Sequence, residues 1–254
     1  MTSETLFALL GSEDPDPVER LNGKAGSDLL LVCEHAGRAI PTQLQGLAPS
    51  EAEMQRHIAW DIGAAALTRS LSARLEAPAV LQRYSRLVID CNRPPGVPSS
   101  MPKVSDGTEI PFNQEILETE RVARITEIFR PFEAAITTAI DARPPKLLAD
   151  IHSYTPVMQG FNRPWEVGLL FNRDDSGAHA VMHELLNRRP GLVAAFNEPY
   201  RVTDLSDYTI PTHGEKRGLR HVLIEIRNDQ IDTPEGVEDW SSLLAACFQA
   251  ILEN

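Results

Sequence analysis

Five short apolar runs punctuate the chain: Leu29–Cys33 (LLLVC), Leu87–Cys91 (LVIDC), Leu147–Ile151 (LLADI), Val167–Phe171 (VGLLF) and His221–Ile226 (HVLIEI). Short continuous runs rich in Leu, Val and Ile suit strands covered on both faces of a sheet. Between them, apolar residues recur at three- and four-residue intervals, which predicts helices over Glu51–Leu75, Gln114–Ala142, Ala178–Arg188 and Glu235–Leu252. Alternation of this kind implies an α/β fold with a mixed, mostly parallel sheet flanked by helices on both faces. No repeat, low-complexity tract or Gly/Ser linker divides the chain, so residues 1–254 are read as one domain. Two Pro- and Gly-containing stretches, 94–107 and 201–218, are longer than a connection needs. Loops of that length usually cover or line a binding site.

Charge narrows the partners. Lys and Arg total 24 against 36 Asp and Glu, a formal net charge of −12 that repels nucleic acid and anionic membranes on average. A small anionic substrate would therefore need local arginines, which draws attention to Arg93 within a structured motif. Cys33, Cys91 and Cys247 are widely spaced, lack a CxxC pairing, and read as buried thiols. The N-terminal MTSETLFALLGSEDPDPVE has no basic leader, and no apolar run approaches the roughly 20 residues that span a bilayer. A cytoplasmic protein is expected, and nothing in the sequence sets its oligomeric state.

In an open α/β sheet the ligand site lies beyond the carboxyl ends of the strands. Polar residues interrupt the apolar runs there at four places: Glu34-His35, Asp90 to Arg93, Asp150 to Tyr154, and Glu225 to Asp229. His35 and His152 belong to different runs, each with an acid close before it. A catalytic zinc needs three protein ligands and one open position. The third ligand is Asp61, in the segment from His57 to Asp61 near a helix start, or its competitor Glu34. Read plainly, the two histidines could equally be hydrogen-bonded residues without a metal.

Glu225 lies between Ile224 and Ile226. Burial of a carboxylate raises its pKa toward the range of a general base, unless Arg220 or Arg227 pairs with it structurally. His179 and His183 share a helix face, but Ala180 stands where a zincin-type motif needs glutamate. Ser153 is not on a GxSxG turn, Cys33 and Cys91 read as small hydrophobes, and no GxxxxGK[ST] or GxGxxG motif supports nucleotide binding.

Together CEHAGRAIP (Cys33–Pro41), AWDIGA (Ala59–Ala64), YSRLVIDCNRPP (Tyr84–Pro95), DIHSY (Asp150–Tyr154) and HVLIEIRND (His221–Asp229) resemble the N-formylglutamate amidohydrolase family. Order and spacing match from about residue 29 to residue 230. That family is itself similar to the zinc carboxypeptidases, which implies a fold of that phosphorylase/hydrolase-like kind. His152-Ser153-Tyr154 resembles their His-Ser-Tyr segment with its zinc-binding histidine, Asn92-Arg93 the pair that holds a substrate carboxylate, and the strand at Glu225 the one bearing the general base. The sequence departs from carboxypeptidases at Arg38, where they carry a glutamate ligand, and from typical family members at Glu34-His35-Ala36.

The resemblance implies one zinc per chain on His35, Asp61 and His152, lowering the pKa of water and polarising an amide carbonyl. Glu225 is then the base. Asn92 and Arg93, with Arg86 and Tyr154, hold an anionic small molecule, and His213 donates to the oxyanion. Arg86 is read equally as the ion-pair partner of Asp90, and His213 as a loop surface residue. The implied reaction, of amino-acid catabolism, is hydrolysis of an N-acyl acidic amino acid such as N-formylglutamate. Zinc carboxypeptidase, another N-acyl amino acid deacylase, or a catalytically silent binding protein are the alternatives.

Overall fold

A computed structural model describes residues 7–24 and 26–253. Among the described residues, the central sheet has seven strands: β1 (Val18–Leu21), β2 (Leu29–Cys33), β3 (Ala79–Gln82), β4 (Leu147–Tyr154), β5 (Val167–Leu170), β6 (Ala194–Phe196) and β7 (His221–Arg227). Their order across the sheet is β1-β3-β2-β4-β7-β5-β6. The run β3-β2-β4-β7 is parallel, as is β5-β6, while β1 on β3 and β5 on β7 are antiparallel. This is the mixed, mostly parallel sheet expected.

The pleat sorts side chains between two cores. Leu29, Leu31, Ala149, Ile151, Val222 and Ile224 face three helices, α2 (Ala64–Leu75), α5 (Ser176–Arg188) and α6 (Pro234–Glu253), through residues such as Leu71, Leu185 and Phe248. Leu30, Val32 and Leu148 face the other way. They pack on Phe132 and Ile136 of α4 (Arg130–Ala142) and on the irregular segment around residues 84–112. Cys33, Cys91 and Cys247 are buried free thiols.

One expected strand is absent. Leu87–Cys91 is fully buried but irregular, and β3 takes the place beside β2. Side chains satisfy its carbonyls where a ladder would have done so: Asn113 Nδ2 donates to Leu87 O at 2.8 Å and Arg124 Nη1 to Val88 O at 3.1 Å. The apolar run therefore reports burial, which a strand and a side-chain-braced coil share.

The expected helix Glu51–Leu75 is also divided. A single turn, α1 (Glu51–Met54), precedes an irregular stretch before α2. Gly63 at the entry to α2 has φ +82°, and a Cβ there would lie 2.2 Å from Ile231 O. That pinning leaves Asp61 in non-helical backbone, with its N–H donating to His35 O at 3.0 Å. The helix expected over Gln114–Ala142 begins later, as α3 (Glu118–Arg124), and runs through a π-helical turn at Ile125–Phe129 into α4.

Candidate active site

Strand β4 continues three residues past Ile151, so His152 and Tyr154 lie on the strand and not beyond it. In the parallel register Glu225 of β7 stands opposite His152, and neighbours across a pleat project from the same face. His35 follows the end of β2, and its carbonyl holds the Asp61 backbone alongside it. Four polar residues from four chain segments thus meet on the sheet face covered by residues 84–112.

Both imidazoles are nearly perpendicular, with ring centroids 4.9 Å apart and an interplanar angle of 79°. His35 Nδ1 lies 3.4 Å from Asp61 Oδ1, and His152 Nδ1 lies 3.0 Å from Asp61 Oδ2. Each distal nitrogen meets another carboxylate: His35 Nε2 is 2.7 Å from Asp90 Oδ1, and His152 Nε2 is 3.1 Å from Asp150 Oδ1 and 3.0 Å from Glu34 Oε2. An outer carboxylate on the far nitrogen is the usual support of a metal-binding histidine.

The donor set passes a direct test. Ligand atoms of His35, Asp61 and His152 lie within 4.8 Å of one another, and His35 Nδ1 is buried without a hydrogen-bond partner. Asp61 is oriented by the Ser153 N–H at 3.1 Å. Glu34, Asp150 and His152 form a second group of the same compactness. Glu34, however, sits on the Nε2 side of His152, whereas both Nδ1 atoms converge on Asp61.

Charge follows the geometry. Burial opposes the imidazolium of His152, yet Asp150, Asp61 and Glu34 outweigh it and hold the ring well above its ordinary pKa. His35 is raised too, with Asp90 and Asp61 overcoming burial and Arg86. Asp61 stays far below the usual carboxylate range despite burial, because both rings face it. Glu225 goes the opposite way: burial lifts its carboxyl to about 7, and its Oε2 has no hydrogen-bond partner.

These groups line a cavity of about 410 Å³, walled also by Tyr154, Tyr200, Leu170 and Leu223. Both long loops contribute, through Pro102 and Asp106 from one and Arg201, Ser206 and Asp207 from the other. Residues 27–231 match the family model described as N-formylglutamate amidohydrolase. The chain belongs to that family.

A gene product of Agrobacterium tumefaciens is 36% identical over 96% of this chain and 98% of its own, with a TM-score of 0.89. The N-formylglutamate amidohydrolase of Ralstonia eutropha is 19% identical over 94% and 98%, with a TM-score of 0.65, and shares the fold. No curated protein sequence matches the chain significantly.

In this family member the other expected site residues divide. Arg86 gives Nε and Nη2 to Asp90 Oδ2 at 3.1 and 2.7 Å and sets Nη1 3.4 Å from Asp61. It is the ion-pair partner of Asp90 and also lines the cavity. Arg93 spends Nη1, 3.9 Å from Asp207 Oδ1, on Asn92 O and Ser206 O, which leaves Nε and Nη2 without a partner among the described residues. The Asn92 side chain is occupied: its Oδ1 accepts from the N–H groups of Tyr208 and Thr209 at 2.9 and 3.2 Å, and its Nδ2 donates to Asp207. Tyr154 offers its ring to the cavity while its hydroxyl donates to Trp165 O.

His213 is not where the sequence suggested. The π-helical turn Ile210–Gly214 buries it against α4, with Nε2 2.7 Å from Glu133 Oε2, and it does not line the cavity. It is neither a surface residue nor an oxyanion donor in this arrangement. His179 and His183 are exposed on α5, away from the cavity. Sequence reasoning missed Tyr200 and Arg201, although 201–218 was already marked as a long loop.

Proposed function

We propose that this chain is a metal-dependent amidohydrolase that removes the N-acyl group, of which formyl is the first candidate, from an acidic amino acid such as glutamate. The observation that carries the reading is the convergence of His35 Nδ1, His152 Nδ1 and Asp61 in the same cavity as a buried carboxylate, Glu225, whose Oε2 has no hydrogen-bond partner among the described residues. His35, Asp61 and His152 are assigned to hold one zinc per chain. When bound, such a cation supplies Lewis acidity, lowering the pKa of water and polarising an amide carbonyl.

The chain's own residues do the rest. Glu225, near neutrality by its burial, takes a proton from water and returns it to the leaving amine. Asp90, Asp150 and Glu34 hold the two rings so that Nδ1 faces Asp61. Arg93 places Nε and Nη2 for a substrate carboxylate, a bidentate geometry that guanidinium fits and ammonium does not. Asn92 orders the loop against which Arg93 rests, and the ring of Tyr154 forms a wall.

Metal analysis and a substrate panel test this together. Purified protein is expected to carry about one zinc per chain and to hydrolyse N-formyl-L-glutamate faster than the N-acetyl and N-carbamoyl analogues or a C-terminal peptide bond. His152→Ala is expected to lose most of the metal, while His179→Ala keeps it. Full zinc in the His152 variant, or no turnover of any N-acyl glutamate by the zinc-loaded protein, overturns the assignment.

A further inference from the structure

Three arginines, Arg86, Arg93 and Arg201, line the cavity, and they differ in what they have left to give. Arg86 is held by Asp90 and Asp61. Arg93 keeps two donor positions after Nη1 is spent. Arg201 is exposed at the cavity and, among the described residues, has no hydrogen-bond or ion-pair partner.

Arg20 and Arg130 are likewise exposed, with side chains that have no such partner among the described residues, but of these three only Arg201 lines this cavity. Two of the acids near Arg201 in sequence, Asp204 and Asp207, are taken, and Glu198, three residues before it, makes no ion pair with it among the described residues. Asp204 pairs with Arg173, and Asp207 accepts from Thr203 N, Ser206 Oγ and Asn92 Nδ2. The side chains on either side of Arg201 are packed or hydrogen-bonded. Tyr200 Oη accepts from Arg163 Nη1 at 3.1 Å, with that guanidinium 5.0 Å from the Tyr200 ring centroid and 5.5 Å from that of Tyr154. On the other side Val202 is buried with Leu170, Ile210 and Leu223.

The segment also approaches the site closely. Gly168, which pairs with Glu225 across the sheet, has no side chain, and a Cβ there would lie 1.7 Å from Glu198 O. The sheet therefore admits the 198–201 backbone beside the strand that carries the base. A guanidinium without a protein partner among the described residues, carried between two held neighbours at the cavity, is open to an anion.

We propose that Arg201 is the specificity residue that recognises the side-chain carboxylate of the substrate, with Arg93 recognising its α-carboxylate. This rests on the amidohydrolase reading above and assigns the residue by which that site would tell a dicarboxylate from a monocarboxylate. A monoanion is served by Arg93 alone. A second open guanidinium gives selectivity only for a second negative charge.

The test compares wild type, Arg201→Gln, Arg201→Lys and Arg93→Gln on N-formyl-L-glutamate and N-formyl-L-glutamine. Arg201→Gln is expected to lower kcat/KM for the glutamate compound on the order of 10²-fold, mainly through KM, and to change the glutamine compound by less than about threefold. Arg201→Lys recovers part of the loss, since charge returns without the fork. Arg93→Gln impairs both substrates. Equal losses on both substrates in Arg201→Gln, or none on the glutamate compound, overturn the proposal.

Calorimetric binding of glutarate, an inert dicarboxylate, reads Arg201 without turnover. If wild type cleaves neither formyl compound, the catalytic reading fails, while glutarate binding that is lost in Arg201→Gln still upholds the receptor. Glutarate that fails to bind wild type, or binds the variant equally, overturns it.

Discussion

Glu225 has one oxygen with no hydrogen-bond partner and a carboxyl lifted by burial to about 7, from an ordinary value of 4.5. The folded state thus binds a proton that the unfolded chain has released between these two values. The associated stability is full below about 4.5 and is lost as pH rises through about 7. In chelator-treated protein, the melting temperature of Glu225→Gln is expected to exceed that of wild type by more at pH 8 than at pH 5. A gap that does not change with pH would mean the carboxyl is not perturbed. With metal present the same variant should keep its zinc and lose at least about 10²-fold in kcat, the usual worth of a general base. His35, His152 and Glu225 were legible in the sequence because each breaks an apolar run with a group that is costly to bury. Arg201 was not, since its distinction lies in what Asp204 and Asp207 do elsewhere.

The segment from Tyr84 to Asn113 carries Arg86, Asp90, Asn92 and Arg93 outside the central sheet, with pairing only in a short hairpin at residues 104–109 and a single bridge at Tyr84, so the shape of its first half depends on side chains. Arg124 is its main brace: it is fully buried, donates to Val88 O and Phe112 O, and has its pKa lowered to about 10 by burial. Arg124→Leu leaves those carbonyls and Asn113 without donors. At about 1–3 kcal/mol for each buried group left unpaired, a loss of at least about 3 kcal/mol is expected in urea unfolding, together with a raised KM. Unchanged stability would show that the segment holds itself. The sequence pattern located this stretch in the interior but took it for a strand, because hydrophobic runs report burial and not hydrogen-bond partners. The division of the helix expected over Glu51–Leu75 has a similar cause: Gly63 is fixed by contact with Ile231, from a segment distant in sequence. The other helices and strands β2, β4, β5 and β7, whose patterns are local, stand close to where periodicity placed them, whereas the short strands β1, β3 and β6 had no expected counterpart.

At the scale of the molecule, two hydrophobic cores lie on opposite faces of one sheet, and none of the candidate metal ligands belongs to either. The fold is therefore expected to survive removal of the metal while losing the linkage term. With free zinc at a hundred times its Kd that term is about 2.7 kcal/mol, so chelation should lower the melting temperature by roughly 5–10 °C. Unfolding at 25 °C on chelation would contradict this. Family membership and the α/β architecture were readable from motif order, because both depend on residues spread from about 29 to 230.

The ring of carboxylates around His35 and His152 has one more consequence, for the acid balance of metal uptake. A ring whose pKa its carboxylate neighbours hold well above the ordinary value gives up its proton when its nitrogen binds a cation. Zinc added to the stripped protein at pH 7 should displace at least one proton from His152 into solution. The heat of titration will then vary linearly with the ionisation enthalpy of the buffer, with the slope counting protons, and the affinity will fall as the medium is acidified. A slope of zero would mean that the site meets its metal already neutral. Acidification would then act as a competitor, emptying the site while the sheet beneath it remains folded.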